Sequence, residues 1–203
     1  MSNIQKTPDL SLTCMVVMFG VVGPFALQVF LPSLPGLKVE FDASYAEVQL
    51  TVSLYLLTFA CAQLLYGPLA DRFGRRRTIL VGLAIYIIAP IICASAMSIE
   101  ALTMGRVLQA IGACAGLMLA RVVARDIYGR NKAASAIGLV TMVSALIGSA
   151  TPMLGGWIDL TFGWRMSFWV TSGLGVVVFI MTFKWFPETQ PVGVSLDLYN
   201  TVL

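Results

Sequence analysis

Six long apolar runs fix what this chain can fold into. They fall at 10–31, 46–70, 78–97, 101–123, 133–157 and 165–186. At about 1.5 Å per residue, each is long enough to cross about 30 Å of hydrocarbon. Lipid offers the backbone no hydrogen-bond partner, so a spanning segment must be a helix or part of a closed barrel. The runs show no period-two alternation, which predicts helices. Composition closes the argument. Of 203 residues, 58% are hydrophobic and 11% charged, with a mean hydropathy of +0.87. A soluble domain carries about 25% charged residues, so this chain lacks the polar surface to cover itself in water. The expected fold is an all-α membrane protein of six transmembrane helices. The bundle is expected over 1–190, with 191–203 as the start of a cytoplasmic connecting segment. The first run is longer than a signal-peptide core and reads as a retained span.

Several function classes fall away. The chain has no histidine, so a His-ligated metal or a His-based triad is excluded. Cys14, Cys61, Cys93 and Cys114 each lie inside an apolar run without metal-ligand spacing. No nucleophile–base pair or phosphate-binding glycine loop is visible, so no enzyme, metal or cofactor is expected. The net charge of +3 comes from short basic clusters between apolar runs, a topology signal and not a nucleic-acid stripe. Those clusters set orientation. The N-terminal side receives ten basic residues, among them Lys6, Arg72, Arg75, Arg76, Arg77, Arg121, Arg125 and Lys184. The other side receives two, Lys38 and Arg165, and Arg106 lies inside a span. Both termini are therefore expected in the cytoplasm, in a multi-pass protein of the cytoplasmic (inner) membrane. Trp157 and Trp164 are expected to bracket the last outer loop at the interface.

The ends of the second and fifth runs match each other. One reads Gly67, Asp71, Phe73, Gly74, Arg75; the other reads Gly155, Asp159, Phe162, Gly163, Arg165. Spans three apart run in opposite directions, so the motif stands once on each side of the membrane. That is the mark of a 3+3 inverted repeat, a feature of secondary transporters.

Four segments carry chemistry. In the first, Gly67 is expected to allow close helix approach and Gly74 a tight turn, while Asp71 offers a carboxylate to a cation. Arg72, Arg75 and Arg76 surround it. In the second, Arg106 lies about six residues inside the fourth span. A charge at that depth costs about 3 kcal/mol and is functional by default. Gln109 stands one turn on, near the same face. The third segment, Gly148, Thr151, Pro152, Gly155 and Gly156, predicts a bent, thin helix. The fourth is the first span, where Pro24 predicts a kink and Pro32 and Pro35 an end at the outer surface. Aspartates and glutamates all fall near span ends.

These segments resemble the major facilitator superfamily. The Gly67–Arg76 block is similar to its loop motif between spans two and three, a cytoplasmic latch in that family. The resemblance implies that Asp126, next to Arg125 at the end of span four, pairs with Arg72 or Arg75. The Arg106–Gln109 block resembles the fourth-span motif implicated in proton coupling, and the Gly148–Gly156 block the antiporter motif, with Thr151 in place of its glycine. The end of the first span resembles the bicyclomycin/chloramphenicol-resistance branch of drug:proton antiporters, with Gln28 where many members carry aspartate.

The resemblance implies half of a twelve-helix fold and efflux of drug-like molecules by proton antiport with alternating access. An importer or facilitator of a small metabolite, or an inactive half-transporter, remain alternatives. Expected partners are a small-molecule substrate, protons, the lipid bilayer, and a C-terminal six-helix half or a second copy; nucleic acid is not one. Gln28, Arg106, Gln109, Phe25 and Tyr55 are the expected cavity residues. Gln28 does not titrate and arginine stays protonated. Either a coupling carboxylate comes from a second half, or coupling uses an edge residue such as Asp71 or Asp126, or the protein is an uncoupled facilitator.

Overall fold

The computed structural model describes residues 10–186 and, within them, all side chains except those at 10, 11, 127 and 129–132. The long helices are α1 (Leu10–Gln28), α3 (Tyr45–Phe73), α4 (Arg75–Ala94), α5 (Ile99–Phe162) and α6 (Trp164–Trp185). A 3-10 turn at Leu31–Ser33 leads into the short α2 (Leu34–Glu40). No strand occurs among the described residues. Helix α5 supplies two spans, Ile99–Asp126 and Ala133–Phe162, so the described residues hold six helical segments of membrane length. The connecting segment expected at 191–203 lies outside the described residues, as does Lys6.

The structure differs from expectation at two joints. The first span stops at Gln28, and Pro32 and Pro35 stand at the first positions of the next two helical turns. A missing N–H costs nothing there, so these prolines restart helix rather than only ending it. A loop was also expected between spans four and five, yet backbone bonding stays helical throughout α5. The connecting residues include no proline to break it. The arms still run in opposite directions along α1. In the first arm, Arg106 meets Ala26 and Gly116 meets Phe19; in the second, Val140 meets Gly20 and Gly155 meets Val29. The chain doubles back between the arms.

The helices are started and joined by short-range chemistry. Ser44 and Glu47 form a reciprocal capping box on α3, and the Ser98 hydroxyl accepts the Ala101 N–H at 3.2 Å to open α5. A single glycine joins α3 to α4 and another joins α5 to α6. Gly74 sits at φ 95°, ψ 149°, and Gly163 at φ 80°, ψ 164°. Each closes one helix and opens the next in a conformation essentially reserved for glycine. The repeated motif therefore makes the same turn at opposite ends of the bundle.

Spans in lipid associate by close packing and hydrogen bonds rather than by hydrophobic burial. Here α5 is the central helix. Gly112 lies on the backbone of Tyr86, and a Cβ at Gly116 would stand 2.6 Å from the Phe19 carbonyl oxygen. Tyrosines bond across the seams: Tyr55 donates to Gly23 O at 3.2 Å, Tyr86 to Val22 O at 2.9 Å, and Tyr66 to Ile111 O at 2.9 Å. The close approach expected at Gly67 does not occur, because a Cβ there would meet only the flexible tip of Met118 at 3.9 Å. Trp164 is not an interfacial anchor either. It is buried against Phe41 and Phe168, while Trp157 and Trp185 are exposed.

Candidate functional site: a polar groove with a charged latch at each end

Helix α1 ends early, and the last four carbonyls of a helix have no partner within it. Arg106 supplies one. Its Nη1 donates to Ala26 O at 3.2 Å and to Gln109 Oε1 at 2.6 Å. A cation at a helix C-terminus also meets the negative end of the macrodipole. The guanidinium carbon lies 4.2 Å from the Tyr55 ring centre and 4.4 Å from that of Phe30. Arg106, Gln109 and Tyr55 are thus sealed in the bundle core, Arg106 at 0% exposure. Of the five residues expected to line one cavity, these three lie together as a buried cap on α1 and are not part of the groove that Gln28 lines. Arg106 Nε and Nη2 and Gln109 Nε2 have no hydrogen-bond partner among the described residues.

Gln28, two residues beyond the capped Ala26 carbonyl, lies elsewhere. It lines a cavity of about 450 Å³ between α1 and both arms of α5, together with Pro24, Arg121, Thr141, Ser144, Ser149 and Pro152. Arg121 is the single charged residue of the lining. The Ser144 hydroxyl is buried without a partner among the described residues. Phe25 is half-buried and stands outside this lining. Arg121, Thr141, Ser144 and Ser149 were not singled out from sequence. A signal existed: 141, 144, 145, 148, 149 and 152 repeat at helical spacing and are small, polar or proline.

The bent-helix motif shapes this groove. Pro152 gives up its backbone donor, and Thr151 Oγ1 donates to Ile147 O at 2.5 Å. Gly148 faces Gln28, Gly155 meets the Val29 backbone, and Gly156 approaches Pro32 at 3.8 Å. Gly148, Pro152, Gly155 and Gly156 thus follow the C-terminal end of α1.

Ion clusters close both ends of the bundle. At one end Arg75 donates through Nη1 to Asp71 and through Nε to Asp126 at 3.1 Å, joining the end of α3, the start of α4 and the end of the first α5 arm. Of the two arginines expected to reach Asp126, Arg75 does so; Arg72 lies 5.3 Å over the Phe73 ring. Arg76 donates to Phe183 O at 2.7 Å on α6. Arg125 is exposed beside Asp126. At the other end Glu40 accepts from Trp164 Nε1 and from Arg165 Nη1, and Arg165 also donates to Ala96 O at 3.3 Å. In each half of the repeat, an arginine just past the glycine turn reaches an acid at or beyond the end of the other half's first span.

The profile of the Major Facilitator Superfamily matches residues 15–197. The chain is 30% identical over 189 residues to multidrug resistance protein D of Escherichia coli (strain K12), covering 93% of this chain and 48% of that protein. It is 31% identical over 168 residues to multidrug resistance protein MdtL of Escherichia coli (strain SMS-3-5 / SECEC), covering 83% of this chain and 43% of that one. The chain thus spans about half the length of these relatives. Its fold is similar to the human organic anion transporter MFSD10 (TETRAN), with a TM-score of 0.75 at 20% identity over 92% of this chain and 49% of that one. A D-xylose-proton symporter gives 0.76 at 15% identity, over 89% and 48% of the respective chains.

Proposed function

Because the chain belongs to the Major Facilitator Superfamily, we propose that it forms one half of a secondary transporter that exports drug-like small molecules by alternating access. The observation that carries this reading is the groove of Gln28, Arg121, Thr141, Ser144 and Ser149. Polar groups at membrane depth are costly when they face lipid. A surface of this kind calls for a second six-helix half, or a second copy, to enclose it around a substrate. The similarity to two multidrug resistance proteins, each about twice the length of the match, supports both the missing half and the substrate class.

In this reading Gln28 meets the substrate. Arg106, Gln109 and Tyr55 are positioning residues that hold the end of α1 carrying it. The Arg75–Asp71–Asp126 cluster is the cytoplasmic latch, and the positive-inside rule assigns that end, with Arg72, Arg76 and Arg77, to the cytoplasm. The described ends Leu10 and Phe186 lie on that same side, after an even number of crossings, in a bacterial inner membrane. The groove lining carries no carboxylate, so proton coupling draws one from the second half or from the latch acids.

The test is a chimera of this chain with the C-terminal half of multidrug resistance protein D, expressed in cells deficient in efflux. Accumulation of a lipophilic fluorescent dye should fall and should recover on adding a protonophore. Gln28→Ala should weaken export, and the chain alone should give none. A chimera present in the membrane at normal level that leaves accumulation unchanged would refute the proposal.

A further inference from the structure

A second, different groove lies between α3 and α4. Helices α3 and α4 leave Gly74 together but enclose a cavity of about 630 Å³ between them. Its walls are Leu65, Leu69 and Phe73 on α3 and Val81 and Ile85 on α4, with Ile111 of α5 as the floor. The walls present only apolar surface. Leu65, Phe73 and Val81 remain more than half exposed. The Tyr66 hydroxyl, which would otherwise face the cavity, is committed to Ile111 O at 2.9 Å.

The stem of Arg77 adds to the apolar lining of this groove. Arg77 lines it at the end bearing the basic cluster, and its side chain is exposed. Among the described residues Arg77 forms no ion pair, whereas its neighbour Arg75 is held by Asp71 and Asp126. From Thr58 to Phe73 the α3 wall is about 22 Å long at 1.5 Å per residue. One leaflet of a bilayer is about 15 Å of hydrocarbon, so the groove reaches from the headgroup level through the tails of a single leaflet. An apolar slot of leaflet depth, capped by an unpaired cation at the interface, matches one class of ligand in shape and charge. An extended arginine reaches phosphate at the interface while its stem stays on apolar surface.

We propose that this groove binds an anionic phospholipid of the leaflet facing the basic end, its acyl chain between α3 and α4 and its phosphate on Arg77. The site is separate from the polar groove and does not depend on the transport reading.

Cys61 lines the groove and is exposed, which provides a reporter. The full chain carrying Cys14→Ser, its buried Cys93 and Cys114 unchanged, is labelled with bimane at Cys61 and reconstituted in phosphatidylcholine vesicles. Nitroxide-labelled phosphatidylglycerol or nitroxide-labelled phosphatidylcholine is then added in steps. Phosphatidylglycerol should half-quench the probe at about a fivefold lower mole fraction, the preference expected for one basic residue at the surface. Arg77→Ala should erase that preference, while Arg77→Lys and the distant Lys184→Ala should keep it. Equal quenching by the two lipids in the unmodified chain overturns the proposal. So does a probe that neither lipid quenches, the result expected if a second copy of the chain fills the groove.

Discussion

Replacing Gly163 by alanine isolates the backbone cost of the turn that the inverted repeat builds twice. Gly163 sits at φ 80°, ψ 164°, and a Cβ built there meets no atom within 4 Å. No clash therefore contributes, and the whole penalty is that of holding an L-residue in a region essentially reserved for glycine, about 1–3 kcal/mol. That is roughly a 5- to 150-fold loss in the folded-to-unfolded ratio. Gly173 is the matched control. It also has open space around its Cβ position, but it lies inside α6 with helical backbone. Alanine there should gain about 0.5–1 kcal/mol by lowering the entropy lost on helix formation. The two substitutions add the same methyl group and should move stability in opposite directions. Unfolding in mixed detergent–SDS micelles, followed by circular dichroism, reads both. If Gly163→Ala were neutral, or stabilising like Gly173→Ala, the turn would not require glycine and the structural equivalence with Gly74 would lose its physical basis.

Other substitutions probe the charged contacts. Arg106→Lys keeps a buried cation but loses the plane packed between Tyr55 and Phe30, at a cost of about 2 kcal/mol. Arg106→Met also removes the donor to Ala26 O and Gln109 Oε1, leaving two buried acceptors unpaired, and should be the more damaging change; the same unfolding assay giving the reverse order would sink the stacking-and-capping account. Arg75→Ala leaves Asp71 and Asp126 without their shared donor and should cost about 2 kcal/mol; in the chimera it should also slow dye export without reducing membrane insertion. Glu40→Gln acts on a pair whose side chains are 45% and 39% exposed, so it should cost under about 1 kcal/mol, and less in high salt. A Glu40→Gln penalty larger than that of Arg75→Ala would contradict the burial ranking of the two clusters.

Sequence alone determined the six spans, because lipid compels any long apolar run to satisfy its backbone internally. It also pointed to the Gly74 turn, and the family resemblance implied a partner for Asp126 at Arg72 or Arg75, between which the structure chose Arg75. The sequence placed the constellation of Arg106, Gln109 and Tyr55 in one expected cavity with Gln28 and Phe25. Only the tertiary structure decided that this constellation is a core cap on α1 and that Gln28 and Arg121 face the groove instead. Helical spacing says which residues share a face. It does not say whether that face meets another helix, a cavity or lipid, because that depends on the rotation of each helix about its axis. That rotation is set by contacts between distant residues, such as Gly112 on Tyr86 and Gly155 on Val29. The same holds for Trp164, whose interfacial position was expected from its neighbours in sequence. Its burial follows from Glu40, which lies 124 residues away and accepts its indole N–H.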